Sequence, residues 1–291
     1  MNSKIKIITS MLIFGSIGVF VTNINLPSAE VAFFRAAIGS LFLISAAFFR
    51  NEKISFKSIS NNLLLLIVSG IALGLNWLSL FQAYKYTTVP KATLSYYFAP
   101  IFVIILSPIV LKEKLTWTKI MCIIMALVGL FLILNLTGND MTASYNDLKG
   151  ILYGLLGAVL YASVILMNKF IRNLSGFETT LIQLIMACIT LFLSILYKSS
   201  LNISVISHKT WTFIIVIGII HTGIAYLLYF TSIKELSGQS IAILSYIDPI
   251  SAVFFAAVFL WQTMAPVQIA GGILILGSTF LSERWKTFDS N

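Results

Sequence analysis

The sequence predicts an all-α membrane protein: ten transmembrane helices arranged as two inverted five-helix repeats (5+5) around a central cavity. Three observations carry this expectation. Of the 291 residues, 58% are apolar and 10% charged, and the mean hydropathy is +0.97. Soluble domains are roughly half apolar and a quarter charged. Ten apolar runs approach the ~20 residues that cross the hydrocarbon as a helix. Finally, a proline recurs in two of these runs, Pro100 in "TLSYYFAPIFVIIL" and Pro249 in "ILSYIDPISAVFF".

The runs fall at 5–22, 30–49, 62–84, 90–110, 117–134, 149–168, 178–197, 211–232, 239–260 and 266–282, separated by charge, proline or polar clusters. The first follows Lys4 and Lys6 but ends in "FVTNINLPSAE" without a small-x-small cleavage pattern, so it is read as a retained helix. Spans four and ten open on Pro90 and Pro266, which suits a first helical turn, where a missing backbone donor costs nothing. The connectors leave no room for a soluble domain.

Basic residues orient the chain. With the N-terminus in the cytoplasm, Lys4, Lys6, Arg50, Lys53, Lys57, Lys112, Lys114, Lys119, Lys169, Arg172, Lys234, Arg284 and Lys286 fall inside, against Lys85, Lys91, Lys149, Lys198 and Lys209 outside. This asymmetry predicts a multi-pass protein of the cell membrane with both termini cytoplasmic. The net charge of +9 is then a topology signal and a contact to anionic headgroups, and no nucleic-acid partner is expected.

The second half echoes the first. Placing Pro249 on Pro100, an offset of 149, also sets Gly223 on Gly74, Phe230 on Phe81 and Lys234 on Lys85. The "LSY" triplets at Leu94 and Leu244 align at 150, and Glu178 meets Glu30, and Gln183 meets Arg35, at 148. The expected units are residues 1–140 and 141–291. Five spans per unit is odd, so the second enters the membrane inverted, the layout of secondary transporters whose site sits at mid-membrane between the halves.

Candidate site residues follow from cost. A proline within a helix frees the carbonyl four residues earlier, here those of Tyr96 and Ser245, and such an acceptor is tolerated at membrane depth only against protein, water or ligand. Helix breaks at Pro100 and Pro249 therefore place Ser95, Tyr96, Tyr97, Ser245, Tyr246 and Asp248 around a cavity. The alternative is a packing kink satisfied by a neighbouring Ser or Thr. Asn76, Trp77, His221 and Tyr226 join the substrate-binding candidates: an amide inside a span either joins helices or meets substrate, and Trp77 and Tyr226 correspond at offset 149. Tyr84 and Tyr86, near the end of span three, are expected in the interfacial belt. Arg35, His221 and Asp248 are ionisable groups within spans, each a candidate for coupling or gating. His221 and Asp248 are the groups proposed to carry protons, and a helix-packing role is the other reading of His221. Arg35 either anchors a substrate carboxylate or belongs with Glu30 to a structural network near the outer mouth.

Cys122 and Cys188 show no ligand spacing, and no metal or disulfide is expected of them. Glycines such as Gly15, Gly18, Gly154, Gly157, Gly271 and Gly272 mark close helix approaches. There is no phosphate-cradling loop; no cofactor is expected.

Several stretches together resemble the EamA-type branch of the drug/metabolite transporter (DMT) superfamily: "EVAFFRAAIGSLFL", "AYKYTTVPKATLSYYFAPIFVIILSPIVLKEKLTWTKIMCIIMALVGLFLI", and its echo "SIKELSGQSIAILSYIDPISAVFFAAVFLWQTMAPVQIAGGILILGSTFL". The resemblance implies a monomeric ten-helix carrier in which spans one to four and six to nine surround the cavity while five and ten lie outside. Members mostly export amino acids and related metabolites. The family's arginine in span two matches Arg35 and its acidic turn matches Glu113, whereas Gln262 stands where a glutamate is common. The expected function is alternating-access transport, as export, of amino acids or related amphipathic compounds across the plasma membrane, with a small-molecule substrate, the bilayer and protons as partners. A passive channel or lipid-handling protein is the alternative. An intramembrane hydrolase built on His221 with Ser245 or Ser95 is disfavoured because no nucleophile-elbow motif is present, and no enzymatic activity is expected.

Overall fold

The computed structural model describes residues 2–49, 55–112, 116–134, 146–198, 207–233 and 244–286, and within these every regular element is a helix. In chain order the helices begin with α1 (Ser3–Thr22), α2 (Ser28–Phe49), a short α3 (Phe56–Asn61), α4 (Leu63–Tyr86), α5 (Val89–Tyr96), α6 (Ala99–Val110) and α7 (Trp117–Leu134). The rest comprises α8 (Asp147–Asn168), α9 (Gly176–Lys198), α10 (His208–Gly218), a π-helical turn at Ile219–Ile224, α11 (Ala225–Ile233), α12 (Ile247–Leu260) and α13 (Pro266–Lys286). Among the described residues, seven helical stretches are long and apolar enough to cross a membrane; Lys119–Ile133, Ile247–Leu260 and Pro266–Ser278 are shorter apolar helices. The expected start of span nine, 239–243, lies outside the described residues, as does Glu113.

Local chemistry sets the helix starts. Asn2 and Asn146 accept the backbone N–H of Lys4 at 3.0 Å and Lys149 at 3.1 Å, satisfying donors that the first turn cannot pair. Ser175 and Glu178 form a reciprocal capping box on α9: Glu178 N donates to Ser175 Oγ at 3.1 Å, and Ser175 N donates to Glu178 Oε2 at 2.8 Å. Thr88 caps α5, with Pro90 in its first turn.

The two prolines sit differently from the expectation of a kink inside a continuous helix. α5 ends at Tyr96, and after a turn at Tyr97 and Phe98 the chain continues as α6, placing Pro100 in the first turn of the new helix. Pro249 likewise falls in the first turn of α12, just after a turn at Tyr246. At these positions the missing N–H is no loss; the interruption precedes each proline by two or three residues.

Helix packing follows an exchange rule. α4 packs on α8 and α9, and α8 also on α5 and α6. When each of the first five apolar spans is traded for its partner among the last five, these pairs become α11 with α1, α10 with α2, and α12 with α1, all of which are in contact. The pairs α2 with α9, α5 with α12 and α7 with α13 map onto themselves, and they too are packed. Small residues permit the closest approaches: a Cβ on Gly15 would fall 2.0 Å from Ser251 Oγ and 2.6 Å from the Asp248 carbonyl, and one on Gly129 would fall 2.6 Å from the Gly271 carbonyl. Leu41, Phe48, Leu64, Phe131, Leu193 and Phe254 point outward and are more than half exposed, an apolar exterior suited to acyl chains.

Polar contacts gather at the helix ends in two groups. One ties Ser55 N to Glu178 Oε1 at 2.9 Å, and Asn62 Nδ2 to the Arg172 carbonyl at 2.9 Å. At the other, Asp147 accepts from Thr87 Oγ1 at 2.5 Å and Lys91 Nζ at 2.6 Å. Lys85 Nζ reaches the Leu26 carbonyl there at 2.7 Å, and Gln262 Oε1 accepts from Val89 N at 2.8 Å.

Candidate functional site

A cavity of about 320 Å³ lies between the two helix interruptions. That is near the lower end of the range for small-molecule sites. The interrupted segments bring Tyr96, Tyr97 and Pro100 from one side and Ser245, Tyr246 and Asp248 from the other. Tyr97 donates its hydroxyl to Asp248 Oδ2, joining the two interruptions directly. Helices α4 and α11 add Trp77 and Tyr226, and α2 adds Arg35.

Aromatic rings define the walls. Tyr96 stacks on Tyr161 of α8 with centroids 5.7 Å apart and lies edge-on to Tyr97 at 6.1 Å. Tyr226 meets Phe14 of α1 at 5.3 Å. The Arg35 guanidinium rests 4.0 Å over the Trp77 ring and 5.7 Å from that of Phe81, while its Nε donates to Thr222 Oγ1 at 2.9 Å. Arg35 thus faces the cavity rather than an outer network with Glu30. Thr222 belongs to the π-helical turn, where its hydroxyl also donates to the carbonyl of Ile217 at 3.1 Å. Wide turns of this kind often occur at functional sites.

Pro249 and three of the binding and coupling candidates stand outside the lining, and the three have structural partners. Asn76 is fully buried and donates to the Gly157 carbonyl at 2.7 Å, while its Oδ1 accepts from the Tyr96 hydroxyl at 3.4 Å. It joins α4 to α8 and positions a wall residue. Ser95 donates to the Lys91 carbonyl at 2.7 Å within its own helix. His221, in the π-helical turn, pairs with Ser16 Oγ of α1 at 2.9 Å and lies edge-on to Phe20 at 4.8 Å. It is not brought to Asp248; it ties α1 to the wide turn.

Other lining residues escape sequence reasoning. Tyr84, expected in the interfacial belt, is buried, faces the cavity and hydrogen-bonds Thr93 at 3.5 Å between hydroxyls. Tyr161 and Tyr229 also line it. Helices apolar on all sides carry no phase that tells an inward tyrosine from an outward one. Tyr86, by contrast, accepts from Lys149 Nζ at 2.9 Å at the helix ends. Among the described residues no His, Cys, Asp and Glu group has the makings of a metal site.

Two successive stretches, residues 3–135 and 148–283, match the EamA-like transporter family. The chain belongs to that family, within the DMT superfamily. It is 34% identical over 284 residues to the uncharacterized transporter YxxF of Bacillus subtilis, with 94% of this chain and 89% of the relative aligned. The riboflavin transporter ImpX of Fusobacterium nucleatum is 28% identical, covering 81% and 82% of the two chains. The pseudopaline exporter CntI of Pseudomonas aeruginosa is 23% identical, covering 90% and 88%. A solved crystal structure of a protein 17% identical in sequence superposes with a TM-score of 0.65 over 97% of this chain and 96% of the other, a likeness of fold.

Proposed function

We propose that this protein is a secondary transporter that carries small amphipathic metabolites, amino acids or related compounds, across the plasma membrane by alternating access, working as an exporter. The observation that carries the reading is the cavity placed between two interrupted helices, lined by tyrosines with Arg35 and Asp248. Interrupted helices at mid-membrane are where carriers bind their cargo. Names among the relatives, a riboflavin transporter and a pseudopaline exporter, agree with transport of small organic molecules.

The ten-span 5+5 architecture belongs to this proposal, with repeats at 1–140 and 141–291. Two family matches in succession and the exchange rule in helix packing support it. The distribution of lysine and arginine favours cytoplasmic termini, which puts Thr87, Lys91, Asp147 and Gln262 at the outer end. That end is closed by the Lys91–Asp147 ion pair, while the lining extends the other way to Ile165 and Tyr229. This is the arrangement of an inward-facing carrier. Of the two groups considered for protons, Asp248 faces the cavity, so proton coupling is assigned to it, and His221 is given a role in holding α1. The carrier is taken to act as a monomer.

Counterflow in proteoliposomes tests the central claim. With a panel of labelled amino acids, a carrier saturates and is stimulated by unlabelled compound on the far side. Flux that is linear in concentration and blind to the far side would make the protein a pore instead.

A further inference from the structure

A buried cation that no carboxylate of the protein touches is expensive at membrane depth and points to something that neutralises it. Arg35 is 5% exposed and faces the cavity. Its partners within the chain are the Trp77 ring beneath it and Thr222 beside its Nε. Among the described residues no Asp or Glu oxygen comes within 4.0 Å of its nitrogens; the ion pair found there is Lys91 with Asp147. A guanidinium has five N–H donors in a planar fork, and the Thr222 bond employs one. The terminal pair is shaped for two parallel bonds to an oxyanion. Trp77 fixes the plane of the fork and Thr222 fixes its rotation, so the group is held ready.

We propose that Arg35, oriented by Trp77 and Thr222, binds the carboxylate of the transported molecule, making the substrate class small carboxylates with an apolar or aromatic body. The body would lie on the tyrosine faces, with Tyr96 and Tyr161 as one wall. A carboxylate is favoured over a phosphate by charge: a single cation shares this cavity with Asp248, and a dianion would bring more negative charge than it can match. The identity of the ligand as cargo rests on the transport reading; the anion site itself does not.

Binding to the full-length protein in nanodiscs separates the two. The probes are matched acid and amide pairs, phenylacetate with phenylacetamide, L-phenylalanine with L-phenylalaninamide and L-leucine with L-leucinamide, together with phenyl phosphate, followed by calorimetry and thermal shift. At least one acid should bind about ten-fold more tightly than its amide, the difference expected of a charge-assisted pair. Arg35→Gln should abolish that preference, so that acid and amide bind alike; Arg35→Lys should keep part of it. Thr222→Val should shrink it by loosening the fork, which keeps the test open if Arg35→Gln does not fold. No acid preferred over its amide, a preference that survives Arg35→Gln, or phenyl phosphate binding tighter than every acid would overturn the assignment. An acid held through Arg35 but never moved by vesicles would refute transport and leave the anion site standing. Equal transport of acid and amide would do the reverse.

Discussion

Tyr97 donates its hydroxyl to Asp248, so the interruption between α5 and α6 is latched to the one that precedes α12. Asp248, the one acidic side chain among the described lining residues, is therefore held by a residue from the other half of the sequence. A group placed there can report its protonation to both halves at once, because a neutral carboxyl and a carboxylate accept a phenol hydrogen bond with different strength.

The first prediction concerns that pair. Asp248→Asn keeps an acceptor for Tyr97 but cannot exchange a proton, so transport against a gradient driven by pH should be lost while counterflow persists. Reconstituted vesicles with and without a pH gradient give the comparison. Unchanged uphill transport in Asp248→Asn would remove this residue from coupling. His221→Ala should weaken folding through the lost Ser16 contact yet leave the pH dependence of the remaining activity as it was.

A second prediction addresses the closed end. Asp147 holds both Thr87 and Lys91, and such pairs at a solvent edge contribute up to about 1 kcal/mol. Asp147→Asn should therefore raise the population open at that end by about five-fold. Replacing Cys122 and Cys188 by Ser and Leu80 by Cys provides a probe on the cavity wall. An impermeant thiol reagent added outside should label it faster in Asp147→Asn, and equal rates would show that the ion pair does not close the path.

Packing supplies the third. Any side chain on Gly15 runs into Ser251 and the backbone at Asp248, and overpacking of this kind costs about 1–3 kcal/mol. Gly15→Ala should lower the melting temperature and depress transport together, since α1 and the interruption before α12 must separate. Gly277→Ala is the control: a Cβ there meets nothing within 4 Å, so transport should hold and the melting temperature should not fall, a Gly-to-Ala change inside a helix being mildly stabilising.

The fourth separates a wall from its support. Asn76→Ala removes the bond to Gly157 and the acceptor for Tyr96, costing about 1 kcal/mol on the scale of interhelical bonds in membranes. Tyr161→Ala should instead leave stability nearly intact and weaken aromatic ligands by about ten-fold through the lost ring contact. Affinity and melting curves on both variants distinguish the roles.

What could be read from the residues was local. Apolar runs, their capping residues and the pair of prolines carry their meaning in a few neighbouring positions, so α2, α4 and α9 match the sequence reading within two residues at either end. Arg35, Trp77, Tyr226 and Asp248 were recognisable because polar or aromatic groups in apolar spans are costly to leave facing lipid. Orientation around a helix was not legible: Tyr84 of α4 and Tyr161 of α8 sit in helices with no polar face, and only the packing of those two helices on each other and on α5 turns them inward. Asn76 and His221, both read as substrate-binding candidates, are buried, but whether a buried polar group meets cargo or another helix depends on what lies across from it.

The wide turn at Ile219–Ile224 holds one residue more than an α-helical turn over the same stretch of axis. Each residue advances a helix by about 100°, so everything beyond the bulge is rotated, and Tyr226 and Tyr229 present themselves to the hollow as a result. Deleting Ile224 should swing both phenols away, at the expense of the chamber they enclose.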